Sequence, residues 1–205
     1  YTGMVSRTDC FKLIKARSLA MQKAAENSSG AMFAIIGSTP ADIEKVCAET
    51  EGYVVPVNYN SSVQTVIAGE EPAAQAAADT LAAAGARAIR LNVAAAFHSK
   101  LMQGAADEFK PAAEQISFKT PEITMLSNIS GTVLDSIDNM PERLALHIVS
   151  PVKFTSELAY LSENGYDTFI ECGPGKVLTG LVKKTLKGVN AMNVQDADTL
   201  AKVIG

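Results

Sequence analysis

The sequence contains no tryptophan, two histidines and three cysteines in 205 residues. The cysteines, Cys10, Cys47 and Cys172, are odd in number, lie far apart and lack the spacing of metal ligands. This pattern argues against a disulfide framework and a zinc site, and it is typical of a reducing compartment. We therefore expect buried thiols, no metal and a cytoplasmic protein.

A large charge of one sign and a long apolar run are also missing. The 18 lysines and arginines nearly balance the 22 aspartates and glutamates, so the net charge of -4 would not attract nucleic acid or anionic lipid. The most alanine-rich stretch, residues 72–86, is interrupted by Gln75 and Asp79 and is shorter than the roughly 20 residues that cross a bilayer. With 47% hydrophobic residues the chain can bury a core, which predicts a globular protein without nucleic-acid or membrane partners.

The first 93 residues predict a helix followed by a compact βαββαβ unit. The helix covers residues 9–25, with Asp9 as its N-cap. The expected elements after it are a strand at 31–37, a helix at 41–51, strands at 53–58 and 63–68, a helix at 72–84 and a strand at 87–93. This order is that of the ferredoxin-like fold, which hosts many unrelated functions.

The rest of the chain predicts helices and a parallel sheet. A helix begins near Ser99, a strand pair surrounds Asn128 and Gly131, and Pro151 separates two helices. A strand, a glycine-rich turn and a helix follow at 168–182, which indicates an α/β sheet. The turn lacks the spacing of a phosphate loop, so we interpret it as structural.

Only His98 and His147 could serve as an imidazole base. His98 follows small residues and precedes a helix start, where the helix dipole disfavours imidazolium and leaves a proton-accepting ring. The alternative is a structural histidine. His147 lies among aliphatic residues near a helix end, which by itself indicates a structural role.

Arg17 shares a helix face with the apolar residues Leu13, Ile14 and Met21. A guanidinium there needs an anionic partner or must line a cavity. It could clamp a carboxylate or phosphate, form an internal ion pair, or pack its stem while its head reaches solvent. The sequence contains no G-x-S-x-G nucleophile elbow, so a base at His98 would lack a visible nucleophile.

Several segments together resemble one family. They are NYNS at 58–61, QTVIAG at 64–69, AFHSKLM at 96–102, SNISG at 127–131, SPVKF at 150–154 and ECGPGKVLTG at 171–180. In order and spacing the chain resembles the malonyl-CoA:acyl carrier protein transacylases of fatty acid and polyketide synthesis. The resemblance implies an α/β-hydrolase-like parallel-sheet body, of which residues 1–30 and 94–205 are a part, with an inserted ferredoxin-like subdomain at 31–93.

The resemblance also implies a function and roles for five residues. A serine would accept malonyl from malonyl-CoA and pass it to the phosphopantetheine thiol of acyl carrier protein, without a cofactor. His98 matches the catalytic histidine and Arg17 the arginine that holds the malonate carboxylate. Phe97 matches malonyl-selective members, and Asn60 matches a pocket-lining asparagine. His147 replaces a frequent glutamine, at a segment whose backbone carbonyl orients the imidazole.

The family's nucleophile elbow immediately precedes a tyrosine like Tyr1, and neither the elbow nor an oxyanion-hole glutamine is in this chain. We therefore expect the chain to be the C-terminal part of a transacylase, inactive without an upstream part that carries the serine. Two other functions remain open. One is a non-catalytic module that binds acyl-CoA or carrier protein; the other is a regulatory ferredoxin-like domain that senses a metabolite.

Overall fold

A long helix, α1 (Arg7–Glu26), opens the computed structural model, which describes residues 1–93 and 95–205. The expected N-cap Asp9 is wrong, because the helix begins two residues earlier. Ser6 is the cap, and its Oγ accepts a hydrogen bond from the Asp9 backbone N–H at 3.0 Å. The Asp9 carboxylate instead accepts from the Ser6 hydroxyl and pairs with Lys12 at 2.9 Å.

A four-stranded antiparallel sheet with two helices follows, in the βαββαβ order expected from the sequence. The elements are β1 (Gly30–Ile36), α2 (Pro40–Glu49), β2 (Val54–Ser61), β3 (Gln64–Glu70), α3 (Glu71–Ala83) and β4 (Arg87–Arg90). The strands lie in the order β2-β3-β1-β4. The last strand is shorter than expected, because its pairing with β1 ends at Arg90, opposite Phe33.

Both faces of this sheet are covered, which explains the continuous apolar run of β1. Phe33 and Ile35 point to one face and pack with Ile43 of α2 and Leu81 of α3. Residues of the opposite face pack around Ala96, in the segment that leads to His98. Gly30 permits this approach, since a Cβ on it would lie 2.6 Å from the Ala96 Cβ. The sheet therefore supports the segment before His98 directly.

A second core lies between three helices. After a 3₁₀ turn (Lys100–Met102), the chain forms α4 (Gln103–Glu114), the hairpin strands β5 (Leu126–Ser127) and β6 (Thr132–Val133), α5 (Met140–Val149) and α6 (Phe154–Glu163). Helices α1, α4 and α5 pack around Phe109 and Ile148. The expected helix beginning after Ser99, the strand pair and the two helices separated by Pro151 are confirmed.

The chain ends in a two-stranded parallel sheet with two helices. The elements are β7 (Thr168–Cys172), α7 (Val177–Thr185), β8 (Asn190–Val194) and α8 (Ala197–Ile204), and β7 pairs with β8. The expected strand, glycine turn and helix are confirmed, while β8 and α8 were not expected. The Glu171 carboxylate accepts hydrogen bonds from the backbone N–H groups of Leu178 and Thr179 at 3.1 and 2.8 Å. Since a carboxylate already occupies the start of α7, the structural interpretation of this turn is supported.

One residue bridges the four-stranded sheet to the helical core. Val152, between α5 and α6, donates its N–H to Val57 O at 2.8 Å and accepts from Tyr59 N at 2.9 Å. Both partners lie on the outer edge of β2, which also contains Pro56 and two irregularities in its pairing. The bridge fixes the start of α6 against the sheet.

The thiols differ from expectation. Only Cys47 is buried, whereas Cys10 and Cys172 are exposed. Burial raises the pKa of the Cys47 thiol to about 12, which keeps it protonated. Among the described helices, none has the length and apolar character needed to cross a membrane.

Candidate active site

His98 lies where the chain leaves the sheet and enters the helical core. Its φ of 61° is in the left-handed region, which non-glycine residues rarely adopt. Ala95 and Ala96 before it are fully buried, and the Ser99 hydroxyl after it donates to Ala96 O at 2.6 Å. Ser99 Oγ also accepts from the Leu101 N–H at the turn that begins the next helix. These neighbours hold an unfavourable backbone conformation, of the kind that clusters at functional sites.

The imidazole of His98 is oriented by the last turn of α5. Carbonyl groups in the last turn of a helix lack intrahelical partners, and His147 O lies 3.1 Å from His98 Nδ1. A carbonyl oxygen can only accept, so Nδ1 carries the proton and Nε2 of the neutral ring is left to accept one. Helix α5 therefore selects the tautomer that a general base needs.

Burial keeps this imidazole neutral. Desolvation lowers the pKa of His98, the hydrogen bond to the His147 carbonyl opposes that effect, and the charge of Arg17 lowers the pKa further. The pKa of His98 therefore lies below that of a free histidine, which favours the neutral ring.

The side chain of His147 lies beside that of His98. The two ring centroids are 5.3 Å apart, with the planes tilted by 46°. His147 Nε2 is buried and has no hydrogen-bond partner among the residues the structure describes. Burial, His98 and Arg17 together lower the pKa of His147 to about 4, so the second ring is also neutral near pH 7.

Arg17 lines a cavity of about 480 Å³. Most of the lining is apolar and includes Leu13, Phe109, Met140 and Leu144. No ion pair joins Arg17 to a carboxylate within the described residues, and burial lowers the pKa of its guanidinium. A half-buried guanidinium in an apolar cavity can bind a small carboxylate through two parallel hydrogen bonds. Of the interpretations that the sequence left open, the structure favours the one in which Arg17 lines a cavity.

A second cavity adjoins the first. It encloses about 530 Å³ between the β5–β6 hairpin and α5, and His147 is on its wall. The two cavities share Met125, Met140 and Leu144. His98 lines neither, so the candidate base is beside this space rather than inside it.

The other two predicted site residues occupy different places. Phe97 is half-buried and contacts both the sheet core and the helical core, immediately before His98. Asn60 is half-buried near the end of β2 and does not line the cavity that contains Arg17. The structure therefore places Phe97, His98 and His147 close together and Arg17 on an adjoining cavity, which Asn60 does not line.

Glu157 is a buried carboxylate in α6 that was not predicted from the sequence. It is 7% exposed, and its Oε1 accepts from Asn128 Nδ2 at 2.8 Å. Burial raises its pKa to about 7, although the hydrogen bond from Asn128 acts in the opposite direction. The available signal was helical spacing, since Glu157 shares a helix face with Phe154 and Leu161. In the described part of the chain, no group of three or more histidine, cysteine or carboxylate side chains could hold a metal ion.

The sequence matches a known protein family along nearly its whole length. Residues 1–204 match the model of a family described as the acyl transferase domain. The chain is 36% identical over 205 residues to a protein named malonyl CoA-acyl carrier protein transacylase from Escherichia coli K12, covering 98% of this chain and 66% of that protein. A relative of the same name from Bacillus subtilis strain 168 is 34% identical and is covered to 65%. The chain thus spans about two thirds of the length of these curated relatives.

Solved structures agree in fold. A malonyl CoA-acyl carrier protein transacylase from Clostridium perfringens superposes with a TM-score of 0.94 at 36% identity, over 99% of this chain and 65% of that one. A malonyl-transacylase determined in complex with its type II PKS acyl-carrier protein superposes with a TM-score of 0.91 at 34% identity, over 98% and 66% of the two chains. The described chain is therefore a mixed α/β fold of this structural class.

Proposed function

Because the chain belongs to the acyl transferase domain family, we propose that it is part of an enzyme that transfers malonyl from malonyl-CoA to the phosphopantetheine thiol of acyl carrier protein. One observation carries the proposal: Arg17 lies in an apolar cavity without a carboxylate partner among the described residues. Such a guanidinium fits the free carboxylate of a malonyl group. The family membership confirms the resemblance predicted from the sequence.

In the proposed mechanism His98 moves one proton in each half-reaction. Its Nε2 takes the proton of a serine hydroxyl as Oγ attacks the thioester carbonyl, and the proton then goes to the departing coenzyme A sulfur. This leaves a malonyl ester on serine. In the second half, Nε2 takes the proton of the pantetheine thiol, the sulfur attacks the ester, and the serine regains its proton. The hydrogen bond from His98 Nδ1 to His147 O keeps Nε2 available for proton transfer in both half-reactions.

The remaining site residues have supporting roles in this proposal. His147 contributes its backbone carbonyl as the acceptor that orients His98. Phe97 lies between two packed cores, so its ring is held in place and can shape the space for the acyl group. Asn60 is the weakest assignment, because the cavity with Arg17 does not include it.

The proposed fold is an α/β-hydrolase-like body formed in part by residues 1–30 and 94–205, with a ferredoxin-like subdomain at 31–93. The antiparallel order β2-β3-β1-β4 supports the subdomain. A separate core behind α2 and α3 also supports this division.

We place the nucleophilic serine on a part of the same protein outside this chain. Several large apolar side chains are exposed on α1 and on α7, and a packing partner at each helix would remove them from water. Examples are Phe11 and Leu19, exposed to 69% and 59%, and Val177, exposed to 71%.

If the serine lies outside this chain, the chain alone should form no malonyl ester when it is incubated with malonyl-CoA. Mass spectrometry of the intact chain after the incubation measures this. A malonyl ester on this chain would overturn the assignment.

The carboxylate clamp is tested by Arg17→Gln in the enzyme assembled with its serine-bearing part. Loss of a charge-assisted pair is worth about 1.5 to 3 kcal/mol. We therefore expect kcat/KM for malonyl transfer to fall by roughly 10- to 150-fold, with a much smaller change for acetyl transfer. Arg17→Lys is the matched control, because it retains the charge without the bidentate geometry. Equal losses for malonyl and acetyl transfer would exclude the clamp.

A further inference from the structure

His98 lies in a segment whose backbone has to be held from both sides. Its φ is in the left-handed region at 61°, and a change there would turn the ring away from His147 O, which lies 3.1 Å from His98 Nδ1. The side before His98 is held by the sheet, since Ala96 lies directly against Gly30 of β1. The side after His98 needs an attachment of its own.

Tyr53, immediately before β2, contacts this second side with its hydroxyl and with its ring. The backbone N–H of Lys100 donates a hydrogen bond to Tyr53 Oη at 3.1 Å. Lys100 Nζ also lies 3.9 Å from the centre of the Tyr53 ring, within the range of a cation–π contact. The two residues are 47 positions apart, so one side chain of the four-stranded unit fastens the turn that follows His98.

The N–H of Lys100 is a group that needs such an acceptor. It is the first N–H of the 3₁₀ turn Lys100–Met102, and the first N–H groups of a helical turn have no partner within the turn. The next N–H, on Leu101, donates to Ser99 Oγ at 3.3 Å. Tyr53 and Ser99 together therefore satisfy the start of this turn.

Tyr53 is itself held in place by Glu70, at the end of β3. The Tyr53 N–H donates to Glu70 Oε2 at 3.2 Å, and Tyr53 O accepts from the Glu70 N–H at 2.8 Å. Gly69 permits this approach, because a Cβ on it would collide with Tyr53 O. The hydroxyl is thus attached to a backbone that is fixed on both of its polar groups.

We propose that Tyr53 is a positioning residue for His98, which it holds in place through the turn at Lys100. This inference rests on the proposed function of His98 as the base of malonyl transfer. The Tyr53 hydroxyl acts through the backbone, by stabilising the conformation in which His98 Nδ1 faces the His147 carbonyl. Tyr53 does not line the cavity that contains Arg17, so its loss should affect turnover rather than binding of the acyl group.

The experiment replaces Tyr53 by phenylalanine in the enzyme assembled with its serine-bearing part. Tyr53→Phe removes the hydroxyl and retains the ring beside Lys100. We expect kcat for malonyl transfer to fall by roughly 3- to 10-fold, the factor that one lost hydrogen bond corresponds to, with KM for malonyl-CoA unchanged. Tyr59→Phe is the matched control, because this second tyrosine lies on β2 but its hydroxyl donates to Glu44 of α2 at 2.7 Å. It should leave kcat unchanged.

The amide of Lys100 gives a second readout that does not depend on activity. Its hydrogen exchange is measured by NMR in the same assembled enzyme with isotope-labelled lysine, and Lys100→Arg assigns the signal by removing it. We expect this amide to exchange roughly 3- to 10-fold faster in Tyr53→Phe and at the wild-type rate in Tyr59→Phe.

The two readouts separate this inference from the proposed function. Unchanged exchange of the Lys100 amide in Tyr53→Phe would show that the hydroxyl does not hold the turn, and would overturn the inference. Faster exchange with unchanged kcat, or an equal fall of kcat in Tyr59→Phe, would overturn the positioning role and leave His98 as the proposed base. A wild-type assembled enzyme that transfers no malonyl would overturn the proposed function, and the inference with it.

Discussion

His98 and His147 are bases kept neutral by their surroundings, which links the site to stability. Each is half-buried, and no carboxylate in the described residues contributes to the pKa shift of either ring. For His98 this environment fits the proposed proton transfer. For the His147 side chain, the same environment lowers the free energy of unfolding as the pH falls.

We expect His147→Gln to reduce the loss of stability in acid. The folded protein holds the pKa of His147 at about 4, against 6.5 for the ordinary group. As pH falls below that ordinary value, the unfolded chain binds the proton first, so acid favours unfolding. After allowance for partial solvent exposure the effect is about 1 to 2 kcal/mol.

Urea unfolding of the wild-type chain and the variant, at about pH 7.5 and about pH 5, measures this difference. Far-UV circular dichroism of both proteins at the higher pH is the control for an unchanged fold. The same pH dependence of stability in the two proteins would show that the His147 ring does not cause the loss of stability in acid.

At the scale of elements, Glu157 connects α6 to the β5–β6 hairpin. Its carboxyl accepts from Asn128, while Asn128 O accepts from the Lys153 N–H at 2.9 Å. This buried polar connection joins the wall of the second cavity to the helix that begins after Val152. The hairpin is thus fixed by a group that titrates near neutrality.

Glu157→Gln should stabilise the protein in mild alkali. The pKa of this carboxyl rises from 4.5 to about 7 on folding, so its favourable contribution is complete below pH 4.5 and is lost as pH rises through about 7. The amide retains an acceptor for Asn128 and never ionises. We expect a gain of about 1 to 3 kcal/mol at about pH 8 and little change at about pH 5.

Thermal unfolding at the two pH values checks this expectation. Glu163→Gln, on the exposed end of the same helix, is the matched control and should change stability little at either pH. A destabilised Glu157→Gln protein at about pH 8 would contradict a buried carboxylate that is costly to ionise.

Periodicity predicted most elements because their burial pattern is local. The apolar run of β1 and the spacing of α2 and α3 were sufficient to obtain the chain order. Strand β8 was missed because Asn190 and Asn193 interrupt its short apolar pattern. Exposure of Cys10 and Cys172 was also missed, since it depends on which neighbours cover a surface.

The sequence named candidate site residues, whose roles stay predictions, but it did not predict their geometry. Residue types alone drew attention to Arg17 and His98. The hydrogen bond from His98 Nδ1 to His147 O could not be predicted in this way, because it connects residues 49 positions apart. The ring contact between the two histidines arises from the packing of α5 against the turn that follows His98. Such long-range contacts are not encoded in any local pattern.

Across the whole molecule, stability should be unevenly distributed. Strands β1 and β3 are central and almost fully buried. The β7–β8 pair forms a separate sheet in the described chain, and β7 contains Ile170, which is 45% exposed. Regions with few buried contacts open by local unfolding before the rest.

Amide hydrogen exchange of the chain should reflect this difference. We expect the paired amides of β7 and β8 to exchange about tenfold or more faster than those of β1 and β3. The exchange of α2 and α3 serves as an internal reference for the four-stranded unit. Equal protection of the two sheets would mean that the molecule unfolds as one cooperative unit.

The outer edge of β2 affects the tendency of the protein to aggregate at high concentration. An open strand edge can recruit a strand from another molecule and start aggregation. On β2, Pro56 lacks an N–H, the pairing is irregular, and Val152 already occupies the backbone groups of Val57 and Tyr59. On the opposite side, β4 is only four residues long and has arginines at both ends. Both borders of this sheet are therefore poor templates for fibril growth, so the isolated chain should resist aggregation through this sheet.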